Sequence, residues 1–372
     1  MKSNLKLNCS VTVLSLLLSV FILAGCDSGD VDDIEVNTVG DTGIVVTTDY
    51  STGAVSVVTA ETRVVQRNTQ VIHSDSICRY DEVTGHIFVI SRFGSDAITV
   101  LNEDAGYKPM AQYSVEAGTN AQDIAVIGPG RAVVPRIGSP ELLVVHPTLG
   151  TEIARVDLSA YADSDGNPEA SQAIFRDGKV YVTLQRLDMY WAPTDYSALL
   201  IINPATYAIE REVILNGKNP TGILRYNTPL SAFILTETGS YGVLDGGIET
   251  MTLDGTLSGM IITEATLGGD IIDAIVTAPD MGFAIISEPT ATGAATRLVT
   301  FNPMTGFKGE TLISSAGYDL SYMSLNGESE IWVTDRNFFN PGIRIFDTHT
   351  AQELTASPID VGLPPIMVCF ER

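Results

Sequence analysis

The chain has 372 residues, 45% hydrophobic and 18% charged, so it carries enough apolar material for a packed core and is unlike a disordered chain. Its formal net charge of −24 at pH 7 repels phosphate backbones and anionic lipid surfaces, which argues against nucleic-acid binding. The 33 Gly and 17 Pro are spread along the chain, a distribution that suits many short strands and frequent turns rather than long helices.

In chain order, Lys2 and Lys6 come first, followed by an apolar run from Val11 to Leu23. That run is too short and one-sided for an ordinary spanning helix. It ends in Leu23-Ala24-Gly25-Cys26, which resembles the bacterial lipobox: small residues before a cysteine that is acylated and becomes the new first residue. The resemblance implies a signal peptide over 1–25, a lipid on Cys26, and a chain held on the inner or outer membrane of a bacterial cell envelope. Residues 26–42 then carry Asp27, Asp30, Asp32, Asp33, Glu35 and Asp41 among few apolar residues. Like charges keep such a segment extended, so it reads as a tether.

From residue 43 to 372 one pattern recurs: an apolar strand, a Gly-containing turn, a second strand, a polar loop, a third strand, an Asn/Asp-Pro-x-Thr-like turn and a fourth strand. The third strand marks the register, as in Leu142–Thr148, Leu199–Pro204, Leu298–Pro303 and Ile343–Thr348, with Ala97–Asn102 in the same slot. First strands start near Ile77, Gln122, Ser171, Thr221, Ile271, Asp319 and Ile366, a period of about 45–50 residues, which is the length of a four-stranded propeller blade. Seven starts predict an all-β, seven-bladed β-propeller. Ile366–Phe370 is a first strand with nothing after it, whereas the segment from 43 to 67 lacks a first strand. The carboxy-terminal strand is therefore expected to complete the first blade, which closes the ring and leaves few free edges.

Strand pattern and turn spacing over 43–372 resemble the YVTN-type propeller repeats of bacterial surface and periplasmic proteins. The resemblance implies the seven-bladed fold but no single activity, because the fold hosts binding proteins, lactonases, lyases and cofactor-dependent oxidoreductases.

The ends of the second strands carry Asp49, Arg92, Arg136, Arg186, Glu237, Glu288 and Arg336, one charge per blade. Two readings fit. Arginine forks can stitch neighbouring blades through carboxylates, or the ring can form a bipolar pocket at the channel mouth for a small anionic ligand. Asp75, Asp123, Asp270 and Asp319 add acids at first-strand entrances. The longest insertion, Arg186–Tyr196, carries Trp191 and two tyrosines, a composition suited to gripping sugars or peptides, or to packing on the next blade.

Asp163, Asp165 and Asn167 stand at alternate positions between blades 3 and 4 and resemble the start of a calcium loop. Pro168 and Ile174 depart from that loop where a glycine and a closing glutamate belong. Cys78 and Cys369 fall on neighbouring first strands of the closed ring and can either bridge or remain buried thiols. There is no Gly-x-Ser-x-Gly elbow, Cys-x-x-Cys pair or phosphate loop, and three of the four histidines fall in turns of the opposite face. The expectation is a lipid-anchored scaffold that binds a ligand or an envelope protein. A lactonase- or lyase-like enzyme using upper-face arginines and carboxylates is the alternative. Calcium is the one cofactor the residues suggest.

Overall fold

A computed structural model describes residues 42–371 apart from Thr292 and Glu328. The lipobox, Cys26 and the tether through residue 41 lie outside the described residues. The described chain folds into seven antiparallel sheets, six of four strands and one of three. Alternating β-branched and aromatic residues bounded by Gly, Asn and Asp turns give each blade its strands.

Blade 1 is the composite one. Its inner strand is Pro365–Glu371, followed outward by Thr42–Thr48, Gly53–Thr59 and Val65–Ile72. Antiparallel pairing of Val45 with Val368 and Ile44 with Cys369 joins the two ends of the domain, as the repeat count requires. The buried Trp332 of blade 7 meets Phe370 edge-on at 5.0 Å across this closure. Gly43 permits that approach, since a Cβ there would lie 3.0 Å from the indole.

The inner strands of blades 2 to 7 are Ser76–Asp81, Ala125–Gly128, Ala170–Arg176, Arg225–Asn227, Asp270–Ala278 and Leu320–Asn326. Four lie within one residue of the expected starts. The other two begin three or four residues late, because before them only isolated bridges, Ala121 to Arg136 and Pro220 to Glu237, continue the pairing. Blade 7 has three regular strands, and its outer edge is covered by bridges from Glu353 and Ile359.

Two ionic clamps tie inner strands together, and no sequence motif announces them. The Arg79 guanidinium takes both oxygens of buried Asp123, which also accepts the amide of Ala173 at 3.1 Å and so spans blades 2, 3 and 4. Arg225, Asp273 and the Met323 amide (2.9 Å) repeat the device across blades 5, 6 and 7. A bidentate, fully hydrogen-bonded pair is the form in which buried charge is tolerated. Because the partners lie on different blades, the clamps hold the ring rigid beneath its upper face, where second strands turn into third strands.

Candidate functional site

The seven charges at the second-strand ends do not form one pocket. Arg136 is fully buried and points between blades. Its Nη1 donates to Glu116 Oε2 at 2.8 Å and the Val115 carbonyl at 3.3 Å, and its Nη2 to Ser139 and the Glu141 carbonyl. Arg186 lies 3.7 Å over the Tyr196 ring and donates to Asp195 and to the Tyr161 and Tyr196 carbonyls. Arg92 grips Asp75 through Nε at 2.9 Å and Nη2 at 2.5 Å. Glu288 takes Arg297 at 2.6 Å, and Asp49 caps its own turn through the amides of Ser51 and Thr52. The arginines are thus engaged internally, Arg92 and Arg297 within their own blades, while Arg136 and Arg186 also reach back to Glu116 and the Tyr161 carbonyl in the segments that enter theirs.

Two members of the ring have other surroundings. Glu237 is fully buried at the end of its strand, and neither carboxyl oxygen has a hydrogen-bond donor. Burial pushes its pKa well above the usual carboxylate range, and the adjacent Glu249 pushes the same way. Glu249 is buried too, and accepts the Asn216 amide at 3.0 Å and its side chain at 2.6 Å. Both effects favour the protonated form of Glu237. Arg336 lies 4.6 Å over the Tyr50 ring with a buried Nε that has no acceptor, and burial lowers its pKa.

Between blades 3 and 4 a cleft of about 160 Å³ is lined by Asp165, Asn167, Glu169, Asp188 and Trp191, among others. The expected calcium loop borders it, but it is built as successive turns. Asp163 Oδ1 accepts the Asp165 amide at 3.0 Å and Asp165 Oδ1 the Asn167 amide at 2.9 Å. Among the described residues no three His, Cys, Asp or Glu side chains are grouped to hold a metal ion. Burial raises the Asp163 pKa, and carries Glu169 to about 8 with the Asp165 and Asp163 charges adding. Glu169 is only 3% exposed and accepts the Leu187 amide at 2.8 Å.

The aromatic loops are ordered and open. Asp188 Oδ1 accepts the amides of Tyr190 (2.8 Å) and Ala192 (3.0 Å), pinning a tip on which Tyr190 is 80% and Trp191 61% exposed. Both rings are largely exposed, and Trp191 also lines the cleft between blades 3 and 4. Asn337 orders the blade 7 tip by accepting the Phe339 amide at 3.1 Å, and Phe338 and Phe339 are 88% and 90% exposed. Tyr50 and Tyr241 belong to the same face, and the sequence gives no sign of it. Each is a single ring in a short turn, without the local clustering that marks the insertion of blade 4.

Cys78 and Cys369 do come together on neighbouring inner strands, as free thiols. The Cys78 sulfur faces the Ile44 carbonyl at 3.6 Å, and burial with the adjacent Cys78 thiol raises the Cys369 pKa.

No protein-family model matches the chain and no curated protein matches it. Solved structures do. A Bacteroides uniformis protein provisionally described as a 6-phosphogluconolactonase is 12% identical with a TM-score of 0.61, covering 90% of this chain and 100% of that one. A streptogramin B lyase is 10% identical with a TM-score of 0.54, covering 79% and 91%. Citrobacter koseri AztD is 13% identical with a TM-score of 0.52, covering 88% and 96%. At such identities the likeness is one of fold, and propellers of this fold carry unrelated activities.

Proposed function

We propose that the chain is a binding protein of the bacterial cell envelope, built on YVTN-type repeats, lipid-anchored through Cys26 and presenting the upper face of its propeller to a ligand or partner protein. The observation that supports it most is the set of exposed aromatic side chains on ordered upper-face loops, Tyr190, Trp191, Phe338 and Phe339 foremost. Large rings held mostly in water on pinned loops bury little apolar area in the fold itself. They become favourable contacts only when a partner covers them, and their few rotatable bonds make that ordering cheap. The ring arginines, by contrast, are mostly engaged in internal pairs.

The test is site-specific photo-crosslinking in producing cells. A benzophenone side chain at Phe338 or Tyr190 should give a discrete adduct. The same group at Met304 or Leu149, also exposed but on the lower face, should not. Adducts from the lower face alone would overturn the reading.

One observation favours a second reading. Glu169, with its pKa near 8, stands in a cleft beside Trp191, which is the setting of a general acid, and lactonase- and lyase-named propellers share the fold. An enzyme of that kind would turn over a lactone or elimination substrate with a basic pH limb near 8. Glu169→Gln would remove that turnover without lowering the melting temperature.

A further inference from the structure

Arg336 is the exception among the upper-face arginines. Arg92, Arg136 and Arg186 each hold a carboxylate, whereas no acid among the described residues pairs with Arg336. The neighbouring acids are engaged elsewhere. Asp49 closes its own turn through Ser51 and Thr52. Asp319 accepts from Ser315 and from Asn337 Nδ2. Asp335 accepts Arg344 Nε at 2.8 Å and the Asn337 amide at 2.9 Å. The Arg336 Nε is buried without an acceptor, the residue as a whole is half-buried, and no side-chain hydrogen bond from it is found among the described residues.

The platform beneath this guanidinium is fixed. Tyr50 sits in the left-handed region at φ 70°, held by its amide donating to Thr48 Oγ1 at 2.9 Å, and its ring supports Arg336 at 4.6 Å. A half-buried guanidinium without a counter-charge carries a desolvation cost that a planar anion would offset through two parallel hydrogen bonds. A flat, singly charged group matches the single planar fork of one guanidinium.

We propose that Arg336 and Tyr50, at the junction of blades 7 and 1 on the upper face, form a binding site for a carboxylate, with the fork of Arg336 taking its two oxygens and the adjoining apolar part of the ligand lying against Tyr50. The inference rests on the reading of the upper face as a recognition surface and adds the ligand class. No residue string marks the site, because Arg336 and Tyr50 are far apart in sequence and meet only once the ring closes.

Sodium benzoate is the probe, titrated into the ¹⁵N-labelled chain at constant ionic strength while the arginine Nε–H resonances are followed. The Arg336 resonance should shift and saturate, and that of Arg297 should not move. Arg336→Lys, which keeps the charge and loses the fork, should weaken benzoate about tenfold. Arg336→Gln should abolish saturation, and Tyr50→Ala should weaken it several-fold. If Arg336→Gln does not fold, the titration of the unaltered chain and of Arg336→Lys decides. Three outcomes would overturn the site: no saturable shift at tens of millimolar benzoate, equal affinity in Arg336→Lys, or saturation by inorganic phosphate below the benzoate concentration needed. Photo-adducts from Phe338 that persist alongside any of these would leave the binding reading standing without this site.

Discussion

Substituting Glu237 by Gln isolates one buried proton. In the folded chain Glu237 is fully enclosed beside Glu249, and its pKa is raised well above the ordinary value of 4.5. In the unfolded chain it ionises near that value. Above pH 4.5 the folded state therefore binds one proton more than the unfolded state, and stability must fall as pH rises. The contribution is fully present below 4.5 and is lost progressively as pH climbs through the raised folded value. Within that window a single such group costs about 1.4 kcal/mol per pH unit. Glu237→Gln keeps the shape but has no proton to retain. Urea unfolding at pH 5.5 and 6.5 should show the variant losing less stability over that unit than the unaltered chain, by at most about 1.4 kcal/mol. Glu169 and Glu264, whose pKa values burial carries to about 8 and about 7, slope in the same direction and are common to both proteins. An unchanged pH slope in the variant, or an equal loss of stability at both pH values, would refute the reasoning.

Arg136→Ala removes a buried guanidinium and its hydrogen bonds to four acceptors, the Glu116 carboxylate among them, and should lower the unfolding free energy by about 3 kcal/mol or more in a urea melt. A ligand-binding role alone would leave stability untouched. Cys78 and Cys369 should resist a water-soluble thiol reagent in the folded chain and both react after denaturation without reductant, since burial raises the Cys369 pKa and the thiolate is the reactive form. Two thiols missing from the denatured count would mean that a disulfide forms at the closure.

Blade number, the closing strand and the meeting of Cys78 with Cys369 were legible because a repeat of about 45–50 residues fixes which strand stands beside which. The direction of a side chain at a strand end is a finer matter. Glu237 is the last residue of its strand, Arg92 and Arg336 lie one residue beyond theirs, and Arg136 and Arg186 lie two beyond. A shift of one residue turns a side chain to the other face, and Arg186 is turned again by a left-handed backbone at φ 53°. Equivalent positions in the repeat therefore point into a blade, between blades or towards solvent. The Arg79–Asp123 and Arg225–Asp273 clamps are illegible for a related reason, since their partners sit on different blades and no regular register joins them.

The central claim is that the upper face is a recognition surface. Native mass spectrometry of the chain purified from its own cells tests it most directly, with the Phe338→Ser, Phe339→Ser variant measured beside it. A recognition surface there predicts an added mass on the unaltered chain that is lost from the variant while the melting temperature stays the same. A bare mass for both proteins, or an added mass that survives in the variant, would contradict it.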